Sequence, residues 1–507
     1  MKSFSYLKRQ ISSLKKITPA ILLVLVSSCN DFLEETPDNR VALDDLDKAA
    51  QLLTNAYSIS SYSYTDWMTD NTGFTRGVAI RQSHTNAYEW NDFLDDPNEQ
   101  DTPAFFWFQT YSAIAHANEV LAVLDELPAV TEEEIAQKRA VESEALLTRA
   151  YGHFMLVNLF GKHYDENTAL SDLGVPYITT PETVFIAQYE RNTVQEVYDR
   201  VEEDMLRGLE LVDDTFFANS GKYHFNRNAA LAFASRFYLY KGDYDRCEEF
   251  STMLLGGDPS AFVRDMTGNE YQSASSSIDA YPQLYSSPDQ PSNLMLIRKI
   301  SLVQRPDFAH GPTRTIFNDL FDQNPLAGTV DERENPAFVK GDNGLFPVRY
   351  ENLFERSSLN SNVGFPYHIS VAFRGEEVLL NRAEANVFRN RTSAAVADLE
   401  VLAQNRYSDD DNPISLTLDD IRSFFGVAGN PFVSDRVILI EYILLERRKE
   451  FLAQGLRWFD IKRYEIEVDH ELADGVSTIT LQENDLRKIM QIPASAVDVG
   501  GLRPNPR

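Results

Sequence analysis

Cysteine is almost missing from this sequence: 507 residues hold two, Cys29 and Cys247. No disulfide pair is left for a body that starts at the first of them, so the fold must stand on its core. Positive charge is also short. Lys and Arg total 47 against 77 Asp and Glu, a formal net charge of −30. A chain of that sign lacks the basic face that displaces counterions from phosphates, which excludes nucleic acid as a partner and disfavours an anionic membrane surface. No apolar run approaches the roughly 20 residues that cross a bilayer. There is no phosphate-cradling Gly loop, no Gly-x-Ser-x-Gly elbow and no His-Glu-x-x-His pair. The eight histidines never fall at ligand spacing on one helix face, so no metal site and no cofactor is expected. Carboxylate pairs arise by chance among 77 acids and give no argument for or against a glycosidase. The run Asp409-Asp410-Asp411-Asn412 lacks the Gly and the distal Glu of a calcium loop and reads as a solvated acidic turn.

What is present is an apolar fraction of 43%, with 31 Phe, 23 Tyr and 4 Trp. That is enough for a sizeable core and excludes wholesale disorder. The length suits two to four domains or one large repeat-built domain. Residues 1–28 hold Lys2, Lys8, Arg9, Lys15 and Lys16 and no acid; without these five the charge goes from −30 to −35. The apolar run Ile21–Val26 and then Ser27-Ser28-Cys29 follow, the order of a secretory signal peptide. Val26-Ser27-Ser28-Cys29 looks like the cleavage box of bacterial lipoproteins, which makes Cys29 the expected lipidation site. An acidic tether, 29–43, comes next, of the kind that sends some lipoproteins to the outside of the outer membrane. Cys247 lies inside a helical pattern and reads as an inert buried thiol.

Helical periodicity dominates both flanks. Leu46, Ala49, Ala50, Leu53, Ala56 and Tyr57 mark one amphipathic face. Similar patterns cover about 104–127, 132–160, 193–212, 227–240, 244–255, 373–389, 393–405 and 435–464. Leu294–Ile297 and Ser477–Leu481 are the better of a few weak strand signals, so the chain reads as mainly α. Lys241-Gly242-Asp243 predicts a left-handed helix stop and an immediate return. The spacing Ala232, Ser235, Tyr238, Gly242, Tyr244 resembles one tetratricopeptide unit, and 376–390 with 392–405 repeats the layout. From about 257 to 370 Ser, Pro and Gly deny regular structure while large rings such as Tyr271, Tyr281, Tyr285 and Phe321 recur. This predicts a folded, loop-rich insertion that carries binding function.

Two tryptophans stand apart from the helices, in 58–103. Trp67 sits among Asp66, Asp70 and Asn71; Trp90 sits among Tyr88, Asn91 and Asp92; Arg76 and Arg81 lie between. An aromatic face flanked by amides, carboxylates and guanidinium suits a pyranose ring, which offers C–H groups to the face and hydroxyls to the rim. The plainer alternative is that each Trp plugs its loop onto the helices. The candidate ligand residues are Trp67, Asp70, Asn71, Arg76, Arg81, Tyr88, Trp90 and Tyr285.

Longer motifs then align with a family. Glu144–Tyr151 with Phe154–Gly161, Arg382-Ala383-Glu384-Ala385, and above all Glu446–Phe451 with Gly455–Arg463 resemble the SusD/RagB family of outer-membrane nutrient-binding lipoproteins. Gln491-Ile492-Pro493-Ala494 and Asn505-Pro506 are similar to its ending. The Gly161-Lys162-His163-Tyr164 stretch and the terminal Arg507 depart from the usual pattern and suggest a divergent branch. The resemblance implies about four tetratricopeptide-like helix pairs, 44–256 and 371–507, supporting a loop-rich lobe, 257–370, in a single domain from 29 to 507 behind a signal peptide, 1–28. It implies oligosaccharide binding without catalysis and delivery to a SusC-like TonB-dependent porin, with a peptide-binding, RagB-like branch as the alternative. A secreted hydrolase and a purely protein-binding adaptor are the readings from other classes. The charged residues of 446–457 are expected to pair with each other and with neighbouring helices, away from the ligand.

Overall fold

The computed structural model describes residues 43–507 apart from 93–95, 185–186 and 218–219. The expected signal peptide, Cys29 and nearly all of the tether lie outside the described residues. Local chemistry sets the helix ends. Asp45 caps α1 (Leu46–Leu53), and α2 (Gln82–Tyr88) lies in the first loop segment. Thr102 caps α3 (Pro103–Leu124), which carries Pro in its first turn. Capping boxes open α4 (Glu132–Phe160, Thr131 with Glu134) and α5 (Val194–Leu211, Thr193 with Glu196). Asn226 caps α6 (Arg227–Lys241), and Gly242 ends it at φ +76°, so α7 (Tyr244–Leu255) returns at once along it.

The second flank contains α11 (Gly375–Phe388), α12 (Thr392–Gln404), α13 (Leu418–Phe424), α14 (Asp435–Glu450) and α15 (Arg457–Arg463). Between the flanks lie α8 (Asn269–Ala274), α9 (Ala280–Tyr285) and α10 (Arg314–Phe321), and α16 (Ala494–Asp498) follows near the end. Neighbouring helices α3 and α4, α4 and α5, α6 and α7, and α11 and α12 pack together, and α11 also lies on α7 and α14. The architecture is a mainly helical, tetratricopeptide-like scaffold with few short strands. Its core is continuous and aromatic-rich, including Trp107, Phe154, Tyr198, Phe233, Phe237 and Trp458.

The helix expected over 435–464 breaks at 451–456, where Ala453 and Gly455 have φ of +63° and +83°. The break docks the first loop. Thr65 Oγ1 donates to the Gly455 carbonyl at 2.8 Å, Ala453 N donates to Asp66 Oδ2 at 3.0 Å, and a Cβ on Gly455 would meet the Tyr62 carbonyl at 2.7 Å.

The lobe is built on a three-stranded antiparallel sheet, with β8 (Gly364–Arg374) between β2 (Asn293–Ile300) and β7 (Leu353–Arg356). The chain stays extended through Arg374, past the expected return to helix near 371–373. Val371–Arg374 are all buried, so the period-two alternation that reveals a half-exposed strand is lost there. Two-stranded ribbons join β1 (Gly73–Phe74) to β3 (His310–Gly311), β4 (Val330–Asp331) to β9 (Tyr407–Ser408), β5 (Ala337–Lys340) to β6 (Gly344–Pro347) and β10 (Val468–Glu471) to β11 (Thr478–Leu481).

Charge ties lobe to scaffold. Arg264, Arg333, Arg406 and Lys449 meet Asp331, Glu376, Glu446 and Glu450 in a buried, balanced network. Arg333 pairs with Asp331 at 2.7 Å and Glu446 at 2.8 Å, Arg406 with Glu450 at 2.8 Å and Glu376 at 3.2 Å, and Arg264 with Glu376 at 3.0 Å. Against the desolvation that pushes it up, Arg406, Arg333 and Arg264 hold Glu450 down at about 2.

Candidate ligand-binding site

Segment 62–72 begins with a 3₁₀ turn, Ser63–Met68, whose residues are all buried. Asp70 receives a bidentate grip from Arg457, with Nε and Nη2 each 2.9 Å from a carboxylate oxygen, and a further pair from Arg448 at 3.3 Å. Desolvation pushes the Asp70 carboxyl up; Arg457 and Arg448 outweigh it and hold it at about 2. Arg448 Nε donates to Asn71 Oδ1 at 2.8 Å, while Asn71 Nδ2 donates to Asp66 Oδ1 at 3.0 Å. Asp70 and Asn71, expected to face a ligand, are thus engaged by the Glu446–Arg463 motif. The reason is length: Arg448 and Arg457 reach out of the scaffold and clamp the loop. Asp70→Ala strands two largely buried guanidinium groups. Because the carboxylate is about a quarter exposed, the cost expected is about 2 kcal/mol in urea unfolding, together with faster proteolysis at 66–72. Unchanged stability and an unchanged cleavage rate would show that the clamp is idle.

The rings expected to form a ligand platform mostly fill space. Trp67 is 7% exposed and lies 3.7 Å from His84, ring to ring. Tyr88 stacks on His470 at 4.0 Å and donates from its hydroxyl to the Glu471 carbonyl at 2.8 Å. Tyr285 is buried, accepts from Arg374 Nη1 at 2.9 Å and carries Arg264 over its ring at 4.1 Å. Trp67, Tyr88 and Tyr285 thus pack against neighbouring side chains, and none of them lines the hollow at Trp90. Arg81 is partly exposed and paired with Glu99 at 3.0 Å. Arg76 is exposed and makes no ion pair among the described residues.

Trp90 is different. Its backbone takes φ +53° just after α2, and its indole Nε1 donates to the Met68 carbonyl at 2.9 Å. His470 stacks on the ring at 4.4 Å, and the Arg487 guanidinium lies over it at 5.5 Å. The ring is only 5% exposed, yet it lines a hollow of about 330 Å³. Met68, Pro103, Met490 and Ile492 give that hollow an apolar floor. Asn91, Asp92, Arg487 and Gln491 form its rim, and Arg507 approaches Asp92 at 3.4 Å. Arg487 is fixed in place by Asp485 at 2.6 Å and the Thr480 carbonyl at 2.7 Å. The volume suits a small organic ligand or a sugar unit, bound by an apolar floor and a few directed polar groups. The wall formed by 487–498 was not visible as a site from sequence, although Gln491–Ala494 had marked the ending of the chain.

Among the described residues, no group of three or more His, Cys, Asp or Glu could hold a metal ion. Asp409 accepts from the Asp411 and Asn412 amides at 2.8 and 3.2 Å, closing the acidic turn on itself.

Two family models match the chain. One, described as SusD-like, starch-binding and associating with the outer membrane, matches residues 31–239, and one described as SusD family matches 357–501. The chain belongs to the SusD family. SusD-like protein P38 of Formosa agariphila is 22% identical over 87% of this chain and 89% of its own length. SusD-like protein P2 of the same organism is 25% identical over 48% of this chain and 46% of its own. Among solved structures, a SusD superfamily protein from Bacteroides thetaiotaomicron covers 91% of this chain and 100% of its own, at TM-score 0.66 and 20% identity. A SusD-like carbohydrate binding protein from Bacteroides vulgatus covers 87% and 90% at TM-score 0.58 and 19% identity. A laminarin binding SusD-like protein covers 91% and 99% at TM-score 0.57 and 18% identity. At these identities the solved structures speak for the SusD fold alone.

Proposed function

We propose that this SusD-family chain is a non-catalytic glycan-binding protein of the outer-membrane surface. It captures an oligosaccharide in the Trp90 hollow, which lies outside the 257–370 lobe, and delivers it to a SusC-like TonB-dependent transporter. A lipid on Cys29 is the proposed anchor, on the likeness of Val26-Ser27-Ser28-Cys29 to a lipoprotein cleavage box; among the described residues no helix is long and apolar enough to cross a membrane. The observation that carries the reading is the Trp90 hollow, an apolar floor beside an indole with amide, carboxylate and guanidinium at its rim, in a chain of this family.

Calorimetric titration of residues 43–507 with a panel of neutral and acidic oligosaccharides tests it. Asn91 and Asp92 are exposed, so Asn91→Ala and Asp92→Ala are expected to fold normally and each to weaken binding about fivefold, the value of one hydrogen bond near 1 kcal/mol. Full affinity in both variants would move the site elsewhere. Absence of binding across the panel, with peptides found co-purifying by mass spectrometry, would replace glycan by peptide.

A further inference from the structure

A cavity larger than the Trp90 hollow lies elsewhere on the molecule. A cleft of about 1450 Å³ opens on the helical scaffold, walled by the loop after α4 (162–168), the α6–α7 turn, the α11–α12 turn, the end of α15 and residues 484–489. It shares no lining residue with the Trp90 hollow, although segment 484–492 runs between the two.

Its chemistry narrows what it would hold. Although the protein is strongly acidic, lysines and arginines line this cleft, and each of the prominent ones already has a carboxylate. Lys162 pairs with Asp172 at 2.7 Å, Arg389 with Asp245 at 2.6 Å, Arg463 with Glu384 at 2.6 Å, Lys488 with Glu465 at 2.6 Å, and Lys241 with Glu202. Lys462 has no carboxylate, but it is buried and donates from its ammonium to the Asn158 and Gly161 carbonyls, so an anion would find no accessible unpaired cation here. The half-buried ring of His163 lines the cleft, and neither nitrogen makes a hydrogen bond to the described residues. Burial, with Arg463 and Lys462 alongside, pulls that imidazole down to about 3. A neutral imidazole offers one N–H and one lone pair, which is the complement of a hydroxyl and not of a carboxylate or phosphate. On the same lining, half-buried Tyr244 and Phe388 stack in parallel at 4.0 Å, an aromatic surface of the kind on which the C–H face of a sugar rests.

We propose that this cleft is a second carbohydrate site, selective for uncharged, hydroxyl-rich chains, with His163 and Tyr244 as contact residues. The proposal extends the glycan reading above and is tested so that the two can fail separately. Residues 43–507 are footprinted by amide hydrogen exchange with maltohexaose, laminarihexaose and, as the acidic control, hexagalacturonate. A neutral hexaose is expected to protect 162–168 and 241–245. That protection should persist in Asn91→Ala and vanish in Tyr244→Ala and in His163→Phe, which keeps a ring and removes both polar atoms. If Tyr244→Ala fails to fold, His163→Phe alone carries the comparison. Protection confined to 90–92 and 487–494 overturns the second site and leaves the Trp90-hollow reading intact. Protection of the cleft with none at the hollow supports the second site and removes the hollow assignment. Stronger protection of the cleft by hexagalacturonate overturns its selectivity, and no protection by any of the three overturns both readings for these glycans.

Discussion

Arg406→Met should destabilise the protein by about 3–5 kcal/mol at neutral pH, the range for removing one partner of a buried ion pair. Arg406 is fully buried, pairs with Glu450 at 2.8 Å and Glu376 at 3.2 Å, and donates to its own neighbour's carbonyl at Asn405 at 3.0 Å. Methionine fills much of the volume but takes from Glu450 its nearest cation and leaves Glu376 with Arg264 alone. The pH dependence identifies the mechanism. Glu450 is depressed to about 2 in the folded protein, against about 4.3 in an unfolded chain. Its contribution is therefore complete above about pH 4.3 and is lost as the pH falls toward 2. Wild type loses that contribution in acid, whereas Arg406→Met has little of it left to lose. The gap between the two urea-unfolding curves should then narrow between about pH 4 and pH 2. A gap that stays constant would mean that lost packing, and not lost charge compensation, sets the cost.

Gly375→Ala should cost about 3 kcal/mol. Gly375 is the first residue of α11 and the point where β8 hands the chain from lobe to scaffold. Its amide donates to the Ser292 carbonyl at 2.9 Å, and a Cβ there would fall 1.9 Å from the Phe262 carbonyl oxygen. Both neighbours are backbone, so neither can swing aside as a side chain would. Gly257→Ala is the matched control: a Cβ at that position meets nothing within 4 Å, and stability should hold within about 0.5 kcal/mol. Thermal unfolding of both variants checks the pair, and equal melting of Gly375→Ala and wild type would refute the clash.

Helix limits were legible in the sequence because the chemistry that stops and starts a helix is local. Thr131 with Glu134, Thr193 with Glu196 and Gly242 act within four residues of themselves, and the expected spans 132–160 and 244–255 are the observed ones. Strand β8 was not legible, since its buried end carries no alternation. The candidate site divides the same way. Trp90 with Asn91 and Asp92 is a local cluster that marked itself, and it lines the hollow. Asp70 and Asn71 looked equally suitable, but their partners Arg448 and Arg457 lie more than 370 positions downstream, and no local pattern records that engagement. The opposite wall, Arg487 to Val497, was hidden for the same reason.

Cys247 has a practical consequence. It is 0% exposed, and burial pushes its thiol up to about 12, so it stays protonated and out of reach of maleimides and oxidants. Residues 43–507 hold no other cysteine, and in solution the body is chemically equivalent to a cysteine-free protein. Leu359, at the tip of the β7–β8 hairpin, is 95% exposed. Leu359→Cys would therefore take a single fluorophore at one known position on the lobe, with no need to remove a native thiol first.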